Sequence, residues 1–193
     1  MVVLFAYMWE PLFRQYLDEC RHTGIARLCR GFYGPLAFEF IIKDAYKRKT
    51  KNDLVIAIAK ASHESTDVQA ACLITLNYGD NPNDAYIEYL CSHQRRGGYL
   101  LQNVLLFLKK HYGVEKKPIQ VALTALGDIG VSKFYHKFGF VKNNIACKSD
   151  VENTKSDPKN GIGMSTCIRL DPLKRKKLGK LGKQRKKTWK ARA

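Results

Sequence analysis

What this chain lacks narrows its function before any motif is read. No apolar run approaches the ~20 residues that cross a bilayer as a helix, so no membrane span is expected. The six cysteines, Cys20, Cys29, Cys72, Cys91, Cys147 and Cys167, are widely scattered with no C-x-x-C pair. That removes the ligand spacing of a zinc site, and no metal is expected. The opening Met1-Val-Val-Leu-Phe-Ala-Tyr-Met8 is too short for the core of a secretory signal and has no basic lead-in. It is expected to form a first strand. With no such signal, and with several cysteines set as small hydrophobes inside apolar runs, the thiols are expected to be reduced. The protein is then expected to be intracellular, in cytoplasm, nucleus or both. The chain also has no internal repeat.

Acid is missing from one region only. The formal net charge is +17, and the segment from Pro172 to Ala193 holds eleven Lys or Arg and no Asp or Glu. Residues 1–171 hold the other 23 of the 34 Lys and Arg and all 17 Asp and Glu, a net of only +6. The expected organisation is therefore one domain over 1–171 and a basic tail over 172–193. Like charges at that density do not pack together, so the tail is expected to be disordered alone. An apolar fraction of 45% and a charged fraction of 26% are those of a soluble globular protein with a real core.

Periodicity gives the order of elements. Leu12, Phe13, Tyr16 and Leu17 have helical spacing across 10–22, and Phe38, Ile41, Ile42 and Ala45 repeat it across 36–47. Leu54 to Ala61 and Gln69 to Asn77 are strand-like runs joined by a polar turn, which predicts an antiparallel hairpin. Ala85 to Ser92 is a further strand. Leu101, Val104, Leu105, Leu108 and Tyr112 form one helical stripe that stops at Gly113. Strand over Ile119 to Ala125, helix over Ile129 to Phe138, and strands from Phe140 and over Met164 to Leu170 complete the reading. The fold class is α/β (α+β): a mixed, mostly antiparallel sheet with helices on both faces.

The segment richest in chemistry is Tyr86-Ile-Glu-Tyr-Leu-Cys-Ser-His-Gln-Arg-Arg-Gly-Gly-Tyr-Leu-Leu101. A strand runs into two arginines and two glycines, which open straight into a helix. That arrangement sets free backbone N–H groups and a positive helix end against a phosphate, and Arg95 and Arg96 add fixed charge. The pair of glycines alone also suits an ordinary strand-to-helix turn. No Lys-Ser or Lys-Thr follows as in a P-loop, and the third glycine of a dinucleotide fingerprint is missing.

A second segment lies one strand further on: Ala125-Leu-Gly-Asp-Ile-Gly-Val-Ser-Lys-Phe-Tyr-His-Lys-Phe-Gly-Phe140. With the order of elements, Phe134-Tyr135 and Gly139-Phe140 after the glycine turn resemble the GNAT superfamily of acyl-CoA-dependent N-acyltransferases. The resemblance covers about residues 1–170, with its motifs inside 85–141. It implies acetyl-CoA as co-substrate and an amine-bearing acceptor. Backbone groups of Leu90, Cys91 and Ser92 would pair with the pantetheine arm as an added strand would. Backbone N–H groups of Gln94, Arg95, Arg96, Gly97, Gly98, Tyr99 and Leu100 would hold the pyrophosphate. The loop departs from the family pattern, since Tyr99 or Leu100, depending on register, replaces its last small residue. Asp128 stands where the family often has an Asn that contacts pantetheine.

The resemblance also assigns chemistry. Tyr135 matches the family's general acid, and a phenol of pKa ~10 can protonate a thiolate of comparable basicity. Glu88 interrupts an apolar strand where relatives often carry the carboxylate that takes the amine proton. A solvated strand face would equally account for Glu88, and His93 is the competing base. The expected activity is acetyl transfer to a primary amine, on a protein lysine, an N-terminus or a polyamine, by direct attack. The competing expectation is an acyl-CoA-binding protein with little or no turnover, acting on nucleic acid through its tail. Residues 172–193 suit an import signal, an anchor on nucleic acid or acidic protein, or a solubilising arm.

Overall fold

The computed structural model describes residues 1–22, 42, 43, 47, 53–78, 84–93, 96–113, 119–125, 129–142 and 162–168. In chain order the elements are β1 (Val2–Tyr7), α1 (Pro11–His22), β2 (Leu54–Lys60), β3 (Val68–Leu76), β4 (Ala85–Ser92), α2 (Gly97–Tyr112), β5 (Ile119–Ala125), α3 (Ile129–His136), β6 (Val141–Lys142) and β7 (Ile162–Ile168). This is the order that periodicity predicts. The helix expected across 36–47 lies outside the described residues except for Ile42, Lys43 and Lys47, and the whole tail lies outside them.

The strands form one seven-stranded sheet in the order β1-β2-β3-β4-β5-β7-β6. Every neighbouring pair is antiparallel except β4 and β5, which run parallel. The hairpin predicted for the two apolar runs is β2–β3, with Ala57 opposite Cys72. These two strands are apolar without alternation because helices cover both of their faces. Leu54, Ile56, Ile58, Ala71 and Leu73 pack with Phe13, Tyr16, Leu17 and Cys20 of α1 on one face. Val55, Ala57, Ala59, Ala70, Cys72 and Ile74 face Leu100, Leu101, Val104 and Leu108 of α2 on the other.

Helix α1 starts at Pro11, whose missing N–H costs nothing in a first turn. The turn before it is closed by Glu10, whose carboxylate accepts the Tyr7 N–H at 2.6 Å. Leu12 is not part of the buried stripe: it is 46% exposed, and Cys20 completes the i, i+3, i+4, i+7 set instead. Glu19 of α1 pairs with Lys60 of β2 at 3.0 Å, which compensates a lysine that is otherwise buried. Cys20 and Cys72 are buried free thiols, and burial pushes the Cys20 thiol up to about 12.

Candidate active site

The site begins where the sheet comes apart. The parallel ladder between β4 and β5 holds for Ala85↔Val121, Tyr86↔Ala122 and Ile87↔Leu123 and goes no further. β4 runs on to Ser92 and β5 to Ala125, so the two strands diverge beyond Ile87. The opposite edge of β4 stays paired to β3, with Leu90↔Cys72, Cys91↔Ala71 and Ser92↔Ala70. The edge of Leu90 to Ser92 that faces the fork therefore lies beyond the ladder to β5.

A β-bulge lies at the vertex. Leu73 sits opposite Tyr89, but the next residue of β3, Ile74, sits opposite Ile87. Glu88 is thus the extra residue on β4, and a bulge of this kind bends its strand and sharpens the local twist. It also breaks alternation. Glu88 turns to the α1 face, where Thr75 Oγ1 donates to its carboxylate at 2.7 Å. Tyr89 packs on that same face. The buried Thr75 hydroxyl finds in Glu88 the partner that burial demands.

The mouth of the fork is closed by the start of α2. Arg96 N–H donates to the His93 carbonyl at 3.0 Å, and Leu100 N–H to the Arg96 carbonyl at 3.1 Å. The helix opens without a side-chain cap, so the N–H groups it presents are those of Gly97, Gly98 and Tyr99. Leu100 places a fully buried side chain in the core and uses its N–H inside the helix, which narrows the expected phosphate-binding set. The glycines are set by close approach. A methyl on Gly97 would lie 2.7 Å from Ser92 Oγ, and one on Gly98 would lie 3.2 Å from the Phe138 ring.

Those contacts join the two motifs. Phe134 and Phe138 of the α3 region pack against the glycine turn, with their rings 5.3 Å apart. Gly139 then takes φ +85°, a conformation open to glycine at little cost, and delivers fully buried Phe140 to the core. Tyr135 meets the Phe134 ring edge-on, with centroids 5.0 Å apart. It belongs to the α2–α3 face and stacks edgewise on Phe140 at 5.7 Å. Burial pushes its phenol well above the ordinary range, with Cys72 of β3 a second, smaller cause. Tyr135 thus shares the α2-side core with Cys72 of β3 and Leu90 of β4.

The structure thus brings together Glu88, Leu90, Cys91, Ser92, Arg96, Gly97, Gly98, Tyr99 and Tyr135 around one fork, with Glu88 and Tyr135 on opposite faces. Gln94, Arg95 and Asp128 lie outside the described residues. His93 serves the turn, its N–H donating to the Gln69 carbonyl at 2.8 Å. Sequence reasoning missed Thr75 and Phe138. Phe138 was within reach, since it stands one helical turn from Phe134. Thr75 was not, because the register that sets it opposite Tyr86, on the face Glu88 shares, leaves no mark in the sequence.

This architecture, with its parallel β4–β5 pair forking beside a glycine-started helix, is the GNAT superfamily fold. Solved structures agree. The ribosomal-protein-S18-alanine N-acetyltransferase of Escherichia coli matches with a TM-score of 0.52 at 14% identity, over 90% of this chain and 98% of that one. A putative GNAT-family acetyltransferase from Desulfovibrio desulfuricans matches at 0.53 and 10% identity, over 88% and 100%. A GNAT-family acetyltransferase from Staphylococcus aureus Mu50 matches at 0.52 and 11%, over 87% and 100%. At these identities the likeness establishes the fold. No protein-family model and no curated protein sequence matches the chain.

Proposed function

We propose that the protein is an acetyl-CoA-dependent N-acetyltransferase that moves an acetyl group directly to a primary amine on a lysine, an N-terminus or a polyamine. The observation that carries this is the two-faced fork: a carboxylate on one face of the diverging strands, a protonated phenol on the other, and a glycine helix start at the mouth. The residues fit the co-substrate. The edge of Leu90 to Ser92 beyond the ladder suits the amides of a pantetheine arm. The N–H groups of Gly97, Gly98 and Tyr99, with Arg96 beside them, suit a pyrophosphate.

Acetyl-CoA supplies the thioester whose carbonyl carbon bonds to the amine nitrogen as its carbon–sulfur bond breaks. Glu88, held by Thr75, takes the proton that the amine must lose. Tyr135 gives its proton to the departing sulfur from the other face. Burial raises the Tyr135 pKa, so the phenol keeps its proton through the physiological range. The same shift makes it a weaker acid, and the departing thiolate, desolvated in the same apolar surroundings, is the base strong enough to take the proton.

Calorimetric titration with CoA and with dephosphorylated pantetheine tests the cradle, and release of free thiol across peptide and polyamine acceptors tests the reaction. Tighter binding of CoA together with amine-dependent thiol release is expected. Equal affinity for both compounds refutes the phosphate cradle. CoA binding without turnover on any acceptor supports the alternative, an acyl-CoA-binding factor acting through its basic tail.

A further inference from the structure

The α1 face of the fork carries more than Glu88. Asn77, at φ +54°, leaves β3 in a left-handed conformation that asparagine tolerates. Its N–H donates to Tyr112 Oη at 3.0 Å, and the Tyr78 N–H donates to the Asp84 carbonyl at 2.8 Å. This throws Tyr78 back over the sheet, where its ring stacks on Tyr86 with centroids 4.6 Å apart. Tyr86 is held in turn by a 2.7 Å hydrogen bond between its hydroxyl and Thr124 Oγ1 on β5. That bond bridges the two strands just where their ladder ends. Tyr86 also lies within electrostatic reach of Glu88, which helps to raise its phenol pKa after burial, the main cause.

The result is a pre-set aromatic wall, 39% exposed at Tyr78, leading to a carboxylate at the vertex. The face of a phenol ring attracts cations, and its body accepts an alkyl stem. Residues 1–171 carry a net +6, a general field that repels a cationic acceptor, so local recognition of this kind has to offset it. We propose that Tyr78, Tyr86 and Glu88 form the acceptor subsite and that it takes an alkyl ammonium, with the cation toward Glu88 and the stem along the tyrosine pair. This deepens the acetyl-transfer reading and rests on it.

The test uses the full chain saturated with CoA, which fills the thiol side without reacting. n-Butylammonium and 1-butanol, alike in length and differing in charge, are titrated at pH 7 while the tyrosine ring resonances are followed by NMR. Tighter binding of the ammonium is expected, with shifts at Tyr78 and Tyr86. Tyr78→Leu keeps an apolar side chain and loses the ring, and should weaken the ammonium by about 2- to 30-fold while leaving the alcohol unchanged. Tyr78→Phe should restore it. CoA affinity measured on each variant should stay constant. If the wild type does not bind CoA, the acetyl-transfer reading falls and takes the acceptor assignment with it. If CoA binds but the two probes bind alike, or Tyr78→Leu does not discriminate between them, the acceptor assignment alone is overturned.

Discussion

A hydroxyl that must protonate a leaving thiolate is useful only while it holds its proton. Burial raises the Tyr135 pKa above the ordinary phenol value, so its neutral form persists past pH ~10. The sign follows for stability too. A phenol with a raised folded pKa favours the fold below the unfolded value and loses that contribution as pH rises beyond it. Rate should therefore not fall between pH 8 and 10 through loss of the Tyr135 proton. Tyr135→Phe removes the donor and keeps the ring contacts with Phe134 and Phe140. It should lower kcat by about 10²–10⁴-fold with little change in the KM for acetyl-CoA, measured under conditions where chemistry is rate-limiting. An unchanged kcat would remove Tyr135 from the reaction. The role of Tyr135 came from the family resemblance alone, while its place on a helix was legible in the sequence. The orientation of Glu88 was not, because a one-residue bulge against β3 leaves no mark in composition or alternation.

Helices and strands were legible wherever one physical signal dominated. The α2 stripe of Leu101, Val104, Leu108 and Tyr112 is buried as its spacing predicts, and β2 and β3 follow from unbroken apolar runs. What escaped is how elements meet, since the contact of α3 with the start of α2 depends on the absence of two side chains. Gly98→Glu puts a side chain into the Phe138 ring, 3.2 Å from the new Cβ, and an anion beside the proposed pyrophosphate cradle. It should weaken CoA on the order of tenfold or more by calorimetry, and Gly98→Ala should do so by much less. A second contact, β1 on α2, makes a pH prediction. His111 Nδ1 lies 2.8 Å from Tyr7 Oη, against Phe107, and burial lowers its pKa below the ordinary value. A lowered folded pKa gives stability that is present above pH ~6.5 and lost as pH falls through the folded value. Tm should therefore drop on acidification from pH 7 to 5 more steeply in the wild type than in His111→Gln. Parallel curves for the two would show that this contact carries no such linkage.

At the scale of the whole molecule, charge is divided between a nearly balanced domain and eleven cations over residues 172–193. The two parts should act by different physics. The described residues bury apolar side chains on both faces of β2 and β3, so a chain ending at Asp171 is expected to fold and to bind CoA as the full chain does. The tail has no apolar periodicity to specify a surface, which leaves counterion release as its source of affinity. Binding of the full chain to duplex DNA should then fall linearly in log–log terms with salt, at about −0.9 per phosphate neutralised. It should show little preference among sequences, because phosphate contacts position without specifying. Fluorescence anisotropy across a salt series, with the full chain beside the chain ending at Asp171, separates the contributions. A steep slope that vanishes on truncation places polyanion binding in the tail. Equal binding by both chains would place it on the folded domain, where the net +6 of residues 1–171 would have to be concentrated in one patch.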